Sequence, residues 1–536
     1  MLRVKDRELK TLVLPLLDVS PAYYITGAAL LALVFWGVFV YAYQTIYNLG
    51  VTGMQRPAYW GVYMVNFIFF IGISHAGTLI SAILRVTQAE WRRPITRIAE
   101  AITAFALIVG SLQILFDLGR PDRMLYVFFF GRAQSPLLWD AMSVTAYFLG
   151  SVTYLFLPLI PDLAIIRDNL PSDAPGWRRF IYSFLSFGWR GNKSQWIRLE
   201  KAVGVMAILI IPIAVSVHTI ISWIMATTVQ PGWHSTVFGP YFVVGAIFSG
   251  IGALFITMTI ARRVFHLEEY LTEKTYNFLG YLLIAMTVIW FYFTYAEHMT
   301  LAAGQQHAEW PVLASKLWGM YMPSFWMMVG SMVAAFWILV VPRLIPASWA
   351  TIPVFQPRLA LGSALASALA TLIIVSPAHS NVVAAASSPQ VTLQSMTWVA
   401  IFTGLVALVT ATPWLKKHVI AGTVIASSFI VLGMWLERWN IVIPTMTHPR
   451  FMPFASYSPS WVEWSLTIAS FALFAFMFMV FFKLFPPVSV WEVAEGEVVL
   501  DARESIEMPM PPSSAPEGRR GGFAFGAPRV ERRRRG

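Results

Sequence analysis

The sequence predicts an all-α polytopic membrane protein: two repeated four-helix bundles plus peripheral transmembrane helices, with 10–12 spans. Three observations predict it. Of 536 residues, 57% are hydrophobic and 12% charged, against about 25% charged in a soluble domain. Apolar runs recur along most of the chain at lengths that suit a bilayer, where about 20 residues cross a hydrocarbon core of about 30 Å. Finally, the chain nearly repeats itself. Shifted by 178 positions, Gly61, Tyr63, Val65, Phe70, Gly72, Ile73, Arg85 and Val86 fall on Gly239, Tyr241, Val243, Phe248, Gly250, Ile251, Arg263 and Val264 without a gap.

The runs lie near 24–47, 59–86, 94–116, 137–160, 201–227, 240–263, 275–297, 323–345, 359–377, 395–412, 418–441 and 464–485. The same shift carries 25–47 onto 203–225 and 95–117 onto 273–295. The run 137–160 matches 324–345 at a slightly larger offset, with Pro136 and Trp139 on Pro323 and Trp326. A parallel repeat of this kind is found in many membrane carriers. It divides the chain into an N-terminal segment 1–23, a first bundle 24–160, an interfacial loop 161–200, a second bundle 201–345, an extra hydrophobic insertion 346–417, peripheral helices 418–486 and a tail 487–536. The runs 359–377 and 395–412 are short and rich in Ala, Ser and Thr, and read as two spans or as a re-entrant pair. The tail is rich in Pro, Gly, Glu and Arg and lacks apolar periodicity, so disorder is expected there.

Ten or twelve spans both put the termini on one side, and basic residues choose that side. Loops on the N-terminal side carry Arg92, Arg93, Arg97, Arg167, Arg178, Arg179, Arg190, Lys193, Arg198, Arg262, Arg263, Lys274, Lys416 and Lys417. The other side carries little beyond Arg56, Arg120, Arg123, Arg132, Lys316 and Arg450. The positive-inside rule makes both termini cytoplasmic. The net charge of +11 then suits topology and anionic lipid, not nucleic acid. With no cysteine in the chain, Cys-ligated iron–sulfur clusters and covalent c-type haem are excluded here and belong to partners.

The mismatches of the repeat carry the functional signal. His75, Glu100 and Asp140 fall on Ala253, Phe278 and Met327, so ionisable groups of the first bundle meet apolar ones in the second. An ionisable group within a span marks a functional site by default. His75 lies mid-span in GISHAGTLISAILR, residues 72–85. Asp117 and Arg120 end the next run at the outer face. Asp140 opens the fourth, in what reads as its first helical turn, where the helix dipole favours an anion. His75, Asp117, Arg120 and Asp140 are therefore expected around one outward-facing pocket, with Gln113, Thr145 and Tyr147 as hydrogen-bonding groups. Such a pocket suits a quinol, whose oxidation removes two electrons and two protons. An imidazole accepts a proton near neutrality and a carboxylate passes it to water. Glu100, His218, Glu297 and His298 form the candidate proton path. Glu437 and Arg438 are adjacent on a helix, diverge, and need partners on other helices.

The stretches YWGVYMVNFIFFIGISHAGTLISAILR at 59–85, SPLLWDAMSVTAYF at 135–148, LIPDLAIIRD at 159–168, SVHTIISW at 216–223, PGWHSTVFGPYFVVGAIFSG at 231–250 and MWLERWNIV at 434–442 carry a family resemblance. The chain resembles the NrfD/polysulfide-reductase family of membrane subunits and, within it, the larger quinol-binding (ActC-type) subunit of bacterial alternative complex III. The resemblance implies a quinol-oxidising subunit of the bacterial inner membrane that binds menaquinol non-covalently near the outer face and holds no haem or cluster of its own. It implies an iron–sulfur subunit, a multihaem cytochrome c subunit, a second NrfD-like subunit and small membrane subunits as partners. His75 and Asp140 carry over as quinol-site residues, and Asp117 and Arg120 less directly. Two departures are the 352–412 segment and Trp223-Ile224 where the family leads one to expect Phe-Asp.

Two other readings are open at this stage. A haem b cytochrome needs facing histidines at matched depth, and His75 and His218 are the mid-helix candidates. A quinone-independent secondary transporter fits the repeat, though such proteins usually break helices at the midplane.

Overall fold

The computed structural model describes residues 9–17, 19–171, 174–346, 357–375 and 389–495. Among these described residues, ten helices are long and apolar enough to cross a membrane. They are α1 (Pro21–Tyr47), α2 (Val62–Val86), α3 (Thr96–Asp117), α4 (Pro136–Asp168), α6 (Lys193–Ala226), α7 (Phe238–Val264), α8 (Glu273–Gly304), α10 (Met322–Leu344), α13 (Val419–Thr447) and α14 (Trp461–Leu484). Between them lie the short helices α5 (Gly176–Leu185) and α9 (Trp310–Leu317), and the insertion forms the pair α11 (Pro357–Val375) and α12 (Pro389–Thr410). No strand is present among the described residues, only an isolated bridge between Gln55 and Ala58. The chain is a multi-pass, all-α integral membrane protein.

Local chemistry sets the helix ends. Ser20 caps α1, with Pro21 in the first turn where its missing N–H costs nothing. Ser460 and Glu463 form a reciprocal capping box at α14. Helix α2 starts after Gly61 with no side-chain cap of its own. Instead its Val62 N–H donates to the Tyr457 hydroxyl at 2.8 Å, a partner supplied by the α13–α14 connection. The flanking helices reach further into 161–200 than hydropathy predicts: α4 continues to Asp168 through Pro158 and Pro161, and α6 begins at Lys193.

Helix α2 is the hub. It packs against α3, α6, α7 and α13, while α1 lies on α14 and α4 on α6. Helices in a bilayer gain little from apolar burial and associate through close packing at small residues. Gly77 is the sharpest case: a Cβ there would sit 1.7 Å from the Ala99 carbonyl oxygen. The repeat mates α2 and α7 also meet, near Gly72 and Ala246. Helix α13, which hydropathy sets at the periphery, packs into α2, α7 and α10. Helices α11 and α12 pack on each other, and Trp398 of α12 rests on Trp326 of α10 with ring centroids 5.0 Å apart.

The basic end of the molecule gathers residues 9–17, the α2–α3 turn, the α4–α6 connection and 483–495. Lys483 donates to Pro15 O at 2.8 Å, and Trp196 and Trp491 pack with centroids 5.3 Å apart. The tail is ordered at its start, contrary to the expectation from composition. The N–H groups of Val490 and Trp491 donate to the Asp162 carboxylate, which also pairs with Arg97. Long-range charge pairing orders this stretch, and apolar periodicity has no view of it. The disorder expected for 496–536 concerns residues outside those described.

Candidate functional site

His75 sits at the middle of the hub helix, fully buried. Its Nδ1 lies 2.8 Å from Ile71 O and its Nε2 2.5 Å from Ala214 O of α6. Both ring nitrogens therefore face carbonyl oxygens. A neutral imidazole has one N–H, and only the doubly protonated ring donates to both.

The neighbours close around it. The Tyr147 hydroxyl donates to Ser74 O at 3.0 Å, and its ring centroid lies 5.1 Å from that of His75. Thr103 donates to the same Ser74 carbonyl at 2.7 Å. His218 of α6 faces His75 with ring centroids 3.8 Å apart, and both His218 nitrogens are buried without a hydrogen-bond partner. A haem held by two imidazoles has them on opposite sides of its plane. Two rings already in contact leave no such gap.

The other expected residues are dispersed. Asp140 is the fifth residue of α4, beyond the first turn, so the expected dipole position at the helix start is not observed. Its Oδ1 is buried and unpartnered. Asp117 ends α3 with Oδ1 likewise orphaned, and its electrostatic neighbour is Glu463 of α14. Arg120 is not brought to His75. Its guanidinium is 62% exposed and donates from Nε and Nη2 to Asp122, at 3.0 and 2.9 Å. That bonding holds the Asp122 carboxyl below its usual range. Thr145 is exposed and donates back to Ala141 O. Glu100 is buried in the basic half of α3 and accepts from Ser81 at 2.7 Å. Gln113 donates to Ser470 at 2.8 Å, joining α3 to α14.

A second polar centre gathers the ionisable residues that the sequence places in the later half, in an arrangement it did not predict. Glu437 and Arg438, expected to diverge, pair with each other, Nη1 to Oε2 at 2.7 Å, both 1% exposed. Trp290 of α8 donates to Glu437 Oε1 at 2.5 Å, and Arg438 lies over the Phe242 ring at 5.1 Å. A narrow cleft lined by Tyr241, Glu297, His298, Lys316, Glu437 and Asn440 continues from this pair. Glu297 accepts from Ser235, and His298 Nδ1 lies 2.8 Å from Thr294 O. The motif at 434–442 held the signal, but adjacency on one helix concealed the pairing.

Fold and site define a polytopic membrane protein with a buried imidazole at its hub. The family model for polysulphide reductase, NrfD, matches residues 50–355, more than half of the chain, and the chain belongs to that family. Over 228 residues it is 31% identical to a putative dimethyl sulfoxide reductase membrane subunit of Halobacterium salinarum, covering 42% of this chain and 49% of that protein. It is 25% identical over 238 residues to a selenate reductase subunit of Mesobacillus selenatarsenatis, covering 42% and 54%. It is 25% identical over 218 residues to the Hdr-like menaquinol oxidoreductase integral membrane subunit of Archaeoglobus fulgidus, covering 40% and 45%. The chain thus spans about half the length of the curated relatives it matches.

Proposed function

We propose that this chain is the quinone-interacting membrane subunit of a multi-subunit oxidoreductase, and that it oxidises menaquinol at the end of the bundle opposite the basic one. The observation that carries the reading is His75, set between two carbonyls and against His218. The residues fit a quinol. The orphaned nitrogens of His218 are groups that a quinol hydroxyl would satisfy, and the orphaned Oδ1 of Asp140, at a separate place on α4, is a group that would take a proton. Oxidation of that headgroup supplies two electrons and two protons. His75 would take up a proton and hold it between Ile71 O and Ala214 O, with Tyr147 fixing the Ser74 backbone beside it. Asp140 and Asp117 would hand protons on toward water. Glu297 and His298, beside the cleft under Glu437, would serve proton movement in the second half of the molecule.

The chain has no cysteine to ligate a cluster, so electrons would leave through an iron–sulfur subunit. The name of the Archaeoglobus relative supports menaquinol as donor. The finer reading as an alternative-complex-III subunit rests on the motif resemblance. It adds a multihaem cytochrome c subunit, a second NrfD-like subunit and small membrane subunits. The repeat supports placing the helices in two four-helix bundles, the basic residues of one end support cytoplasmic termini, and the motif resemblance supports a bacterial inner membrane.

His75→Ala and Asp140→Asn in the purified complex test the reading. Quinol oxidation is expected to be lost while all subunits co-purify. Wild-type turnover in both variants refutes the site.

A further inference from the structure

At the basic end, a cleft of about 270 Å³ opens between the end of α2, the α2–α3 turn, the start of α6 and the segment after α14. Charges of both signs line it, Arg85, Arg92 and Arg93 against Glu90, Glu200 and Glu495. Most of them are already engaged. Arg93 donates to Glu90, to Glu495 and to Glu492 O, at 2.9, 2.8 and 2.7 Å. Arg85 pairs with the buried Glu492. Two groups are left under-partnered. Arg92 shares that same Glu492 carboxylate through one contact at 3.3 Å, so a single carboxylate faces two guanidiniums. Burial holds the Arg92 pKa below the ordinary arginine value, and Arg85 and Arg93 lower it further against the support of Glu492. Glu200 of α6 is exposed and has no ion pair among the described residues.

We propose that this cleft binds the head group of a phospholipid with a primary amine, an ethanolamine phosphate ester, its phosphate on Arg92 and its ammonium on Glu200. A ligand of one sign meets an opposing charge wherever it settles in this lining. A head group that carries both signs close together finds a partner for each. A guanidinium presents paired N–H donors to phosphate oxygens, and the Arg92 nitrogens not bonded to Glu492 remain for that purpose. A primary ammonium has three donors for carboxylate oxygens. A quaternary amine has none and is held by aromatic cages instead, whereas Trp491 is the one aromatic side chain of the lining. The acyl chains have apolar surface to lie on. Ile197, three residues before Glu200 and so on the same side of α6, is 57% exposed, and Ile83 and Val86 in the last turn of α2 are 44% and 51% exposed. A water-soluble ester has no use for that surface. The site makes no use of the menaquinol reading and is tested apart from it.

Native mass spectrometry of the full purified chain, titrated with phosphatidylethanolamine, phosphatidylcholine or phosphatidylglycerol, tests the proposal. The chain is expected to hold one phosphatidylethanolamine about tenfold more tightly than either other lipid, the scale of one hydrogen bond to a charged group. Glu200→Gln is expected to abolish that preference. Glu200→Lys is expected to transfer it to phosphatidylglycerol, whose head group has the phosphate without the amine. Neither substitution removes an ion pair among the described residues, and unchanged thermal midpoints verify folding. Arg92→Gln, which is expected to weaken binding of all three lipids, supplies the comparison if either variant does not fold. Equal binding of the three lipids by the wild type, or a preference unchanged in the folded variants, overturns the site. Displacement of the lipid by an equal concentration of free phosphoethanolamine overturns a lipid as its occupant.

Discussion

Helices α2 and α7 are repeat mates, and they differ at the two positions that matter most. Position 75 is an imidazole in α2 and its mate is Ala253 in α7. Position 77 is glycine in α2 and its mate is Phe255, whose ring packs on Tyr276 of α8 with centroids 5.7 Å apart. In the first half, the missing side chain lets α3 come against the α2 backbone. In the second half the corresponding position carries an aromatic ring that packs on α8. The two copies differ in what they bury: the first encloses the His75 imidazole, and the second meets Glu437 and Arg438 of α13 at Gly245 of α7. Glu437 and Arg438 come from α13, which lies outside both bundles, and Lys316 comes from α9, in the connection between α8 and α10. The expectation that chemistry confines itself to the first bundle overlooks these additions.

The largest effect expected from this asymmetry is on turnover. His75→Ala should lower quinol oxidation by about 10²–10⁴-fold, the usual contribution of a positioned acid–base group. Adding Ala253→His to that variant should restore nothing, because position 253 has no counterpart of His218 or of the Ala214 carbonyl. Steady-state quinol oxidation by the purified complex reads both. Rescue by the double variant would break the distinction between the halves.

The buried pair of the second half should show its weight in stability. Arg438→Met leaves Glu437 as an uncompensated buried charge, at a cost of about 3–5 kcal/mol. The double variant Glu437→Gln with Arg438→Met should recover most of it, with Trp290 still bonded to the amide. Thermal midpoints in detergent measure the difference. A double variant no more stable than Arg438→Met would show that the pair is not the unit proposed.

Gly77→Ala comes next. The added methyl meets the Ala99 carbonyl oxygen at 1.7 Å, so α2 and α3 must separate, with an overpacking cost of about 1–3 kcal/mol. The loss should appear as a lower thermal midpoint and weaker quinol binding together. A silent substitution would remove close helix approach as the difference between α2 and α7.

Much of this was legible in the chain and some was not, for physical reasons. The spans and His75 stand out because a bilayer permits few polar side chains and leaves each one conspicuous. His218 was visible as a residue but not as the partner of His75: they are 143 positions apart in sequence, and periodicity places a residue on a face without saying which helix it meets. Arg120 was misplaced because Asp122, two residues on, captures its guanidinium at the surface. Residues 488–495 looked like disordered tail because hydrophobic pattern registers neither backbone amides seated on Asp162 nor a carboxylate between Arg85 and Arg92. The Glu437–Arg438 pair was hidden by a rule that holds on exposed helices, where adjacent side chains diverge. Under burial, long side chains turn toward each other when the alternative is an unpaired charge.

The smallest effect concerns Lys316 on α9, outside the spans and 8% exposed. Burial pushes its ammonium down to about 8, against partial support from Glu297. The folded protein therefore binds fewer protons than the unfolded chain between about pH 8 and the ordinary lysine value. In that window stability rises with pH, and below it the full cost of burying the charge is present. From pH 8 to pH 9 the gain should be about 1 kcal/mol, since each unit of pKa displacement corresponds to about 1.4 kcal/mol. Lys316→Met should flatten this part of the profile and leave other titrations in place, so the difference between variant and wild-type thermal midpoints isolates it. Equal slopes in the two proteins would mean that Lys316 gives up its proton no more readily than a surface lysine, and that the cleft beneath Glu437 is wetter than its lining suggests.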